Sequence, residues 1–260
     1  MAGAEGARGE VPSLRIEGPV ATIALRRPQQ ANRLGMDDLQ ALHAHLAAVQ
    51  AREEVLVLRF VAEGSSFCAG FDLNAMGERG ADAGQLFEQL ADRIEAARPV
   101  TVAALQGGVY GGATDLVLAC DFRLAVADSE LRVPAARLGL HYYRGGLERY
   151  VALLGGSVTR RVMLLAEKFD GQAMLAAGMV DRLLPDVHAL ARELESMTAD
   201  LAAMAPLALL PMKRNIGAIA RGRPDPDAIA HDIARAQASE DLREGTRAWQ
   251  ERRRPRFQGR

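Results

Sequence analysis

The stretch from Gln106 to Asp121 carries the residues that are best placed to do chemistry. It follows a short apolar run, Val100 to Leu105, that predicts a buried strand, and its second half has the pattern of a helix. Gly111 and Gly112 fall where that helix should begin. Because a helix start leaves backbone N–H groups unpaired and partly positive, a polarised oxygen could approach the main chain closely there.

Asp115 lies one helical turn after these glycines, on the same face. A carboxylate beside backbone donors is what proton transfer next to a polarised carbonyl requires. The alternative is a helix whose glycines only permit tight packing, with Asp115 as a first-turn charge that interacts with the helix dipole. Both interpretations stay open for this segment taken alone.

Two further loops contain candidate site residues. The segment from Glu63 to Leu73 follows a strongly apolar strand, Glu54 to Val61, and combines small residues, glycine and polar groups, as site loops often do. The loop from Pro134 to Gly146 is rich in side chains that can donate protons: His141, Tyr142, Tyr143 and Arg144. It predicts a third wall of a pocket, and the alternative is a surface loop whose amphipathic rings cover the core.

The composition is that of an ordinary soluble globular protein, with 260 residues, 49% hydrophobic and 25% charged residues, and a net charge of −1. The near-neutral balance argues against nucleic acid or an anionic membrane as the main partner. Cys68 and Cys120 form neither a disulfide framework nor a metal site, which predicts a reducing, cytoplasmic setting. No apolar run approaches the roughly 18 residues of a membrane span.

Periodicity predicts repeated strand, strand, helix units up to about residue 185, beginning with a hairpin of Leu14–Ile16 and Val20–Leu25. A last strand is predicted at Met179–Leu184, and the remainder has helix patterns broken by glycine and proline. We therefore expect a flexible tail at 1–10, a core at 11–185 and a helical region at 186–260.

Several short motifs follow one another along the chain: Arg27 and Pro28 with Asn32, Ser66 to Leu73, Gly107 to Asp121, Pro134 with Leu138 and Gly139 and with Gly145 and Gly146, Ala205 to Leu207 with Lys213, and Ser239 to Phe257. Their order and spacing resemble the crotonase superfamily, the enoyl-CoA hydratase/isomerase family of acyl-CoA enzymes. The resemblance covers nearly the whole chain.

The resemblance implies an α/β fold in which a crotonase-like spiral of repeated ββα units holds the acyl-CoA site. It also implies a helical C-terminal region that drives formation of a homotrimer, often doubled to a hexamer. The substrate would be an acyl-CoA thioester, so coenzyme A enters with the substrate and no separate cofactor or metal is expected. Neither nucleic acid nor a membrane is expected as a partner.

The resemblance also assigns residues. The backbone N–H groups of Phe71 and Gly112 match the two donors that form the oxyanion hole around the thioester oxygen. The positions that match the CoA-binding strip of the family are Ala31, Asn32, Leu34, Ala69, Asp72, Leu73 and Phe257. The match places Phe257 near the adenine, from the same or a neighbouring subunit.

The chain departs from the hydratase pattern at two positions. Asp115 matches the first of the two carboxylates that hydratases place around the attacking water, but Ala135 stands at the second. Alanine cannot transfer a proton, so two-carboxylate hydration is not expected unless His141, Tyr142 or Arg144 substitutes, which requires their loop to fold inward. Asn74 stands where the family often has a lysine, which puts one phosphate or adenine contact in doubt.

Three functions remain open. The first is a lyase or isomerase of the enoyl-CoA hydratase/isomerase type, with Asp115 as acid/base. The second is a decarboxylase of the methylmalonyl-CoA type, which Val109–Asp115 and Leu138–Tyr142 also resemble, with Tyr142 and His141 as further catalytic candidates. The third is a non-catalytic CoA-binding scaffold trimer, which the two departures motivate.

Overall fold

The computed structural model describes residues 9–72 and 80–260, in which strands and helices alternate before a helical C-terminal region. The strands are β1 (Glu10–Glu17), β2 (Val20–Arg26), β3 (Val57–Ala62), β4 (Val100–Leu105), β5 (Val109–Tyr110), β6 (Phe122–Val126), β7 (Glu130–Arg132), β8 (Phe169–Asp170) and β9 (Arg182–Leu184). The helices are α1 (Met36–Gln50), α2 (Gly80–Glu95), α3 (Ala113–Leu118), α4 (Arg144–Leu165), α5 (Gly171–Ala176), α6 (Val187–Ala202), α7 (Pro206–Ala220), α8 (Pro226–Gln237) and α9 (Glu240–Glu251).

Six strands form the main sheet, in the order β1-β2-β3-β4-β6-β9. β1 and β2 pair as an antiparallel hairpin, as predicted, and the other neighbouring pairs of this sheet are parallel. The short strands β5, β7 and β8 form a second sheet. Parallel neighbours need crossover connections, and α1 and α2 supply them between β2 and β3 and between β3 and β4.

The side chains of the main sheet alternate between two hydrophobic clusters, because successive residues of a strand point to opposite faces. In β4, Leu105 packs in the cluster that also contains Leu39 of α1, whereas Val102 packs in the cluster that contains Leu190 of α6. All six residues of β4 are buried, which is typical of a central parallel strand covered on both faces.

Capping side chains define where several helices begin. Asp170, Asp186, Asp225 and Ser239 each accept a hydrogen bond from the backbone N–H three residues later, at the starts of α5, α6, α8 and α9. These bonds satisfy donors that a helix start would otherwise leave unpaired. The predicted mixed α/β fold with a helical C-terminal region is confirmed. In the two described ranges, no helix combines the length and the apolar character needed to cross a membrane.

Several strands differ from the prediction. β9 begins at Arg182 and not at Met179, because the Met179 N–H donates to the Met174 carbonyl (2.8 Å) in the turn that ends α5. β5 and β8 have two residues each, too few to produce an alternating pattern, and the sequence does not predict them. β1 begins at Glu10, the last residue of the predicted tail.

Gly107 separates β4 from β5 at a point of very close backbone contact. A Cβ atom placed there would lie 1.9 Å from the Ser65 carbonyl oxygen, so Gly107→Ala must displace the main chain. We expect a loss of about 1–3 kcal/mol or more in the free energy of unfolding, measured by urea titration. Gly84→Ala is the matched control, since a Cβ there meets no atom within 4 Å and should stabilise α2 by about 0.5–1 kcal/mol. Equal stability of the two variants would contradict this account of the turn.

Candidate active site

The loop after β3 and the turn before α3 are joined by backbone hydrogen bonds. Cys68 and Val109 form a parallel bridge, in which the Tyr110 N–H donates to the Cys68 carbonyl (2.9 Å). The Phe67 N–H donates to the Gly108 carbonyl (3.0 Å) beside it. Two loops that are about 40 residues apart in the chain are therefore held in register.

Gly70 is the point of closest contact between these loops. Its φ angle is +90°, and a Cβ atom placed on it would lie 2.6 Å from the Tyr110 carbonyl oxygen and 3.4 Å from the Gly112 nitrogen. Only glycine combines this backbone conformation with so close an approach. The peptide that leads from Gly70 to Phe71 therefore lies next to the Gly112 amide.

The loop before α1 pairs with the same segment from its other side. Leu34 and Phe71 form a parallel bridge: the Leu34 N–H donates to the Gly70 carbonyl (2.8 Å), and the Asp72 N–H donates to the Leu34 carbonyl (2.9 Å). The Ala69 N–H donates to the Ala31 carbonyl (2.8 Å). In this pattern the Phe71 N–H points away from Leu34. Within residues 9–72 and 80–260, no backbone carbonyl accepts the N–H of Phe71 or of Gly112.

Asn32 holds the loop before α1 in place. Its φ angle is +53°, a conformation that asparagine tolerates better than most residues. Its buried amide accepts from the Arg27 N–H (2.8 Å) and donates to the carbonyls of Glu63 (2.8 Å) and Ser66 (2.9 Å). The Asn32 side chain thus ties the loop before α1 to the loop after β3.

Two phenylalanine rings lie beside the glycine turn. A Cβ atom placed on Gly112 would lie 2.7 Å from Cζ of Phe87, which comes from α2 and is buried. The Phe71 ring packs edge-on against Phe87, with 6.3 Å between ring centroids and 68° between ring planes. Aromatic rings therefore line one side of the turn that carries the Gly112 amide.

Asp115 is fully buried and has two side-chain partners on one oxygen. Its Oδ2 atom accepts from the Tyr143 hydroxyl and from Nη1 of Arg149 (2.6 Å). Its Oδ1 atom is also buried, and it forms no hydrogen bond with any residue in the described ranges. Burial raises the pKa of Asp115 above its usual value, and the Arg149 charge and the Tyr143 hydroxyl oppose that shift.

Arg149 connects Asp115 to other acidic residues. Its Nη2 atom contacts Asp92 Oδ1 (2.9 Å) and Glu95 Oε2 (3.3 Å), both on α2, and only 3% of its side chain is exposed. Glu95 in turn contacts Nη1 of Arg221 (2.8 Å), the residue that follows α7. A buried charge is tolerated only when it is paired, and this network pairs both Asp115 and Arg149.

The loop before α4 places its two tyrosines differently. Tyr143 reaches Asp115, and burial followed by the adjacent carboxylate raises the pKa of Tyr143, which keeps its hydroxyl protonated. Tyr142 stacks on Tyr143, with ring centroids 5.0 Å apart and planes at 18°. The Tyr142 ring also meets the Tyr150 ring edge-on, with centroids 5.7 Å apart, and burial raises the pKa of the Tyr142 hydroxyl as well. His141 is exposed, and its Nδ1 contacts the Tyr142 carbonyl oxygen (2.7 Å).

The structure brings some of the predicted site residues together and leaves others apart. The backbone contacts above join most of the predicted residues: Ala31, Asn32, Leu34, Ala69, Phe71, Asp72 and Gly112. Phe257 lies elsewhere, in a groove of about 1,060 Å³ that Arg98, Asp121 and Lys213 also line. None of the predicted residues that the backbone contacts join lines that groove. Leu73 and Asn74 lie outside the described residues.

Sequence reasoning named Tyr143 only as one of four possible proton donors in its loop, and it did not single out Arg149 or Phe87. A usable signal existed for Arg149, because a carboxylate in an apolar helix such as α3 needs a cationic partner. Arg149 lies between Gly146 and Tyr150 on the buried side of α4. Nothing in the sequence indicates that Tyr143, and not Tyr142, reaches the carboxylate.

The family follows from comparison with known proteins. The family model described as enoyl-CoA hydratase/isomerase matches residues 15–260. The chain therefore belongs to the enoyl-CoA hydratase/isomerase family of acyl-CoA enzymes, as the resemblance predicted.

Individual relatives agree with this assignment. A Mycobacterium tuberculosis protein named "Probable enoyl-CoA hydratase echA6" is 31% identical over 92% of this chain and 96% of its own length. The 2,3-dehydroadipyl-CoA hydratase of Escherichia coli is 28% identical over 93% of this chain and 96% of its own length. The crystal structure of an enoyl-CoA hydratase from Bacillus anthracis superimposes with a TM-score of 0.90 at 25% identity, over 96% of this chain and 100% of that one. The predicted crotonase-type fold is confirmed.

Proposed function

We propose that this protein stabilises the enolate of an acyl-CoA thioester with the Phe71 and Gly112 amides and moves a proton at the substrate with Asp115. The observation that carries the proposal is the close approach of Gly70 to Gly112: a Cβ atom placed on Gly70 would lie 3.4 Å from the Gly112 nitrogen. Asp115 follows Gly112 by three residues. Two main-chain donors with no backbone acceptor in the described residues thus lie near one buried carboxylate.

The physical reason is charge development on the thioester oxygen. Removing a proton from the α-carbon shifts the electron pair onto that oxygen, which becomes negative. Fixed N–H donors in an apolar setting stabilise this charge without having to reorient, and each such donor is worth about 3–4 kcal/mol in known oxyanion holes. The adjacent rings of Phe71 and Phe87 support the proposal because they give the Gly112 amide apolar neighbours.

Asp115 suits the role of the base. Its burial raises its pKa towards the range where a carboxylate is an effective proton acceptor, while Arg149 keeps the ionised form accessible. The buried Oδ1 atom has no hydrogen-bond partner among the described residues, and we propose that it meets the substrate proton. A single base can take a proton from one carbon and return it to the same or another carbon, as in α-proton exchange or double-bond isomerisation.

Hydration by two carboxylates fits the chain poorly. Ala135 begins a 3-10 helix, Ala135–Leu138, and offers only a methyl group where the family pattern has the second carboxylate. The exposed His141 does not substitute for it in this arrangement. We therefore expect hydration of crotonyl-CoA to be slow or absent.

The CoA moiety is proposed to lie along the loops that contain Ala31 and Ala69, whose backbones are joined by the hydrogen bonds described above. The buried side chains of Asn32 and Leu34 fix the shape of these paired loops. Phe257, which lies in a separate groove of its own chain, would contact the adenine of a neighbouring subunit. Coenzyme A would enter as part of the substrate.

A homo-oligomer, either a trimer or a hexamer, is part of the proposal. Met212, Ile216 and Ile219 recur at helical spacing on α7 and are each more than half exposed in the single chain. An exposed apolar stripe of this kind is typical of an interface.

Light scattering should therefore give three or six times the chain mass of 28.0 kDa. Ile216→Glu places a charge in the stripe and should lower the measured mass, whereas Val11→Glu, at an exposed apolar residue of β1, should not. A wild-type mass of 28.0 kDa at micromolar concentration would refute the oligomer.

The central test is deuterium exchange at the α-carbon of butyryl-CoA in D₂O, followed by mass spectrometry. Wild-type protein should exchange the α-proton above background, and Asp115→Asn should slow the exchange about 10²- to 10⁴-fold, because the amide cannot accept the proton. Asp37→Asn, an exposed aspartate of α1, is the matched control and should exchange at the wild-type rate.

Two outcomes would count against the proposal. Exchange that is insensitive to Asp115→Asn would remove Asp115 from the role of base. Binding of butyryl-CoA without any exchange would favour the non-catalytic scaffold.

Decarboxylation of a thioester that bears a β-carboxylate is the second candidate. The Tyr142 hydroxyl favours it as a proton donor, because the Tyr142 ring is stacked on Tyr143, the hydrogen-bond partner of Asp115. In that reaction the electrons of the broken C–C bond pass into the enolate, CO₂ leaves, and a proton returns to the α-carbon. The ionised Asp115 would repel the substrate carboxylate, which makes this candidate weaker.

Methylmalonyl-CoA separates the two candidates. A decarboxylase should release CO₂ from it, and Tyr142→Phe should lower that rate at least tenfold while α-proton exchange of butyryl-CoA falls less. Absence of CO₂ release from methylmalonyl-CoA eliminates the second candidate.

A further inference from the structure

We propose that Tyr143 and Arg149 act together as positioning residues that occupy Oδ2 of Asp115, so that Oδ1 is the oxygen that exchanges the substrate proton. The inference rests on the proposed function, in which Asp115 is the base. It adds two residues to the site and assigns different roles to the two oxygens of one carboxylate.

The two donors converge on the same atom. The Tyr143 hydroxyl and Nη1 of Arg149 both bind Oδ2, whereas Oδ1 is equally buried and receives no hydrogen bond within the described ranges. An unpaired buried oxygen of a charged group is costly, so a ligand atom is the expected partner. The asymmetry therefore marks Oδ1 as the oxygen that meets the substrate.

Both donors are themselves held in place. Arg149 is held by ion pairs with Asp92 and Glu95, and Glu95 also pairs with Arg221. The Tyr143 ring is fixed by its stacking on Tyr142. With its donors held by these contacts, the carboxylate would lose both charge-assisted bonds on rotation, and such bonds are stronger than neutral ones.

The two donors also set the charge state of Asp115. Three segments present titratable or charged side chains to this region: Asp92 and Glu95 from α2, Arg149 and Tyr150 from α4, and Tyr142 and Tyr143 from the loop before α4. Burial and Glu95 raise the pKa of Asp115, whereas Arg149 and Tyr143 lower it. Removing either donor therefore favours the protonated carboxyl, which cannot act as a base.

The pH profile of α-proton exchange with butyryl-CoA tests this inference. The exchange rate should rise with pH as Asp115 ionises, and the midpoint should move to higher pH by about one unit in Tyr143→Phe and by about 1–3 units in Arg149→Gln. At neutral pH both variants should exchange at least tenfold more slowly. Arg149→Lys, which keeps the charge, should shift the midpoint less than Arg149→Gln.

Arg161→Gln is the matched control. Arg161 lies in the second part of α4, beyond the interruption at Gly155 (φ +69°), and pairs with Glu167 at the surface, so its loss should leave the midpoint unchanged. A midpoint that stays at the wild-type value in both Tyr143→Phe and Arg149→Gln overturns the inference. Tyr143→Phe removes a single hydroxyl and provides the decisive comparison if Arg149→Gln fails to fold.

A second readout separates this inference from the proposed function. NMR titration of ¹³C-carboxyl-labelled aspartate follows Asp115 without any substrate, with Asp115→Asn identifying its signal. An upward shift of the Asp115 midpoint in Tyr143→Phe supports the positioning role even if butyryl-CoA does not exchange. An unchanged midpoint refutes it even if exchange depends on Asp115.

Discussion

The close approach of the Gly70 backbone to the Tyr110 carbonyl and the Gly112 amide is the contact on which the site depends. With a Cβ position only 2.6 Å from the Tyr110 oxygen, no other residue fits without moving the main chain. Backbone hydrogen bonds extend the contact on both sides. One set joins the Phe67–Cys68 segment to the Gly108–Tyr110 segment, and the other joins Leu34 to the residues on either side of Phe71. The main sheet supplies the framework, since the two central loops follow its neighbouring parallel strands β3 and β4.

A second constraint comes from burying a carboxylate. Asp115 lies in an apolar helix start, and its charge is compatible with the core only because Arg149 reaches it from α4. Arg149 in turn requires Asp92 and Glu95, and Glu95 binds Arg221 beyond α7. One buried charge thus links the core of the fold to its C-terminal helices.

Much of this architecture could be predicted from the sequence, because it depends on patterns that are local. The β1–β2 hairpin, the buried β4 and the helix after Gly112 follow from periodicity and turn residues. Which side chains meet across elements depends on three-dimensional packing, and so Tyr143 was only one of four possible proton donors and Arg149 was not singled out, while the exposed His141 was a candidate. The strands β5 and β8 were missed because two residues cannot show a period.

The most direct test of the central claim is a crystal structure of the protein with a non-hydrolysable acyl-CoA analogue. The distances that decide are those from the carbonyl oxygen of the analogue to the nitrogens of Phe71 and Gly112. We predict that both lie within hydrogen-bond distance, about 2.7–3.2 Å, with Oδ1 of Asp115 facing the α-carbon. An analogue whose carbonyl oxygen contacts neither amide would contradict the account.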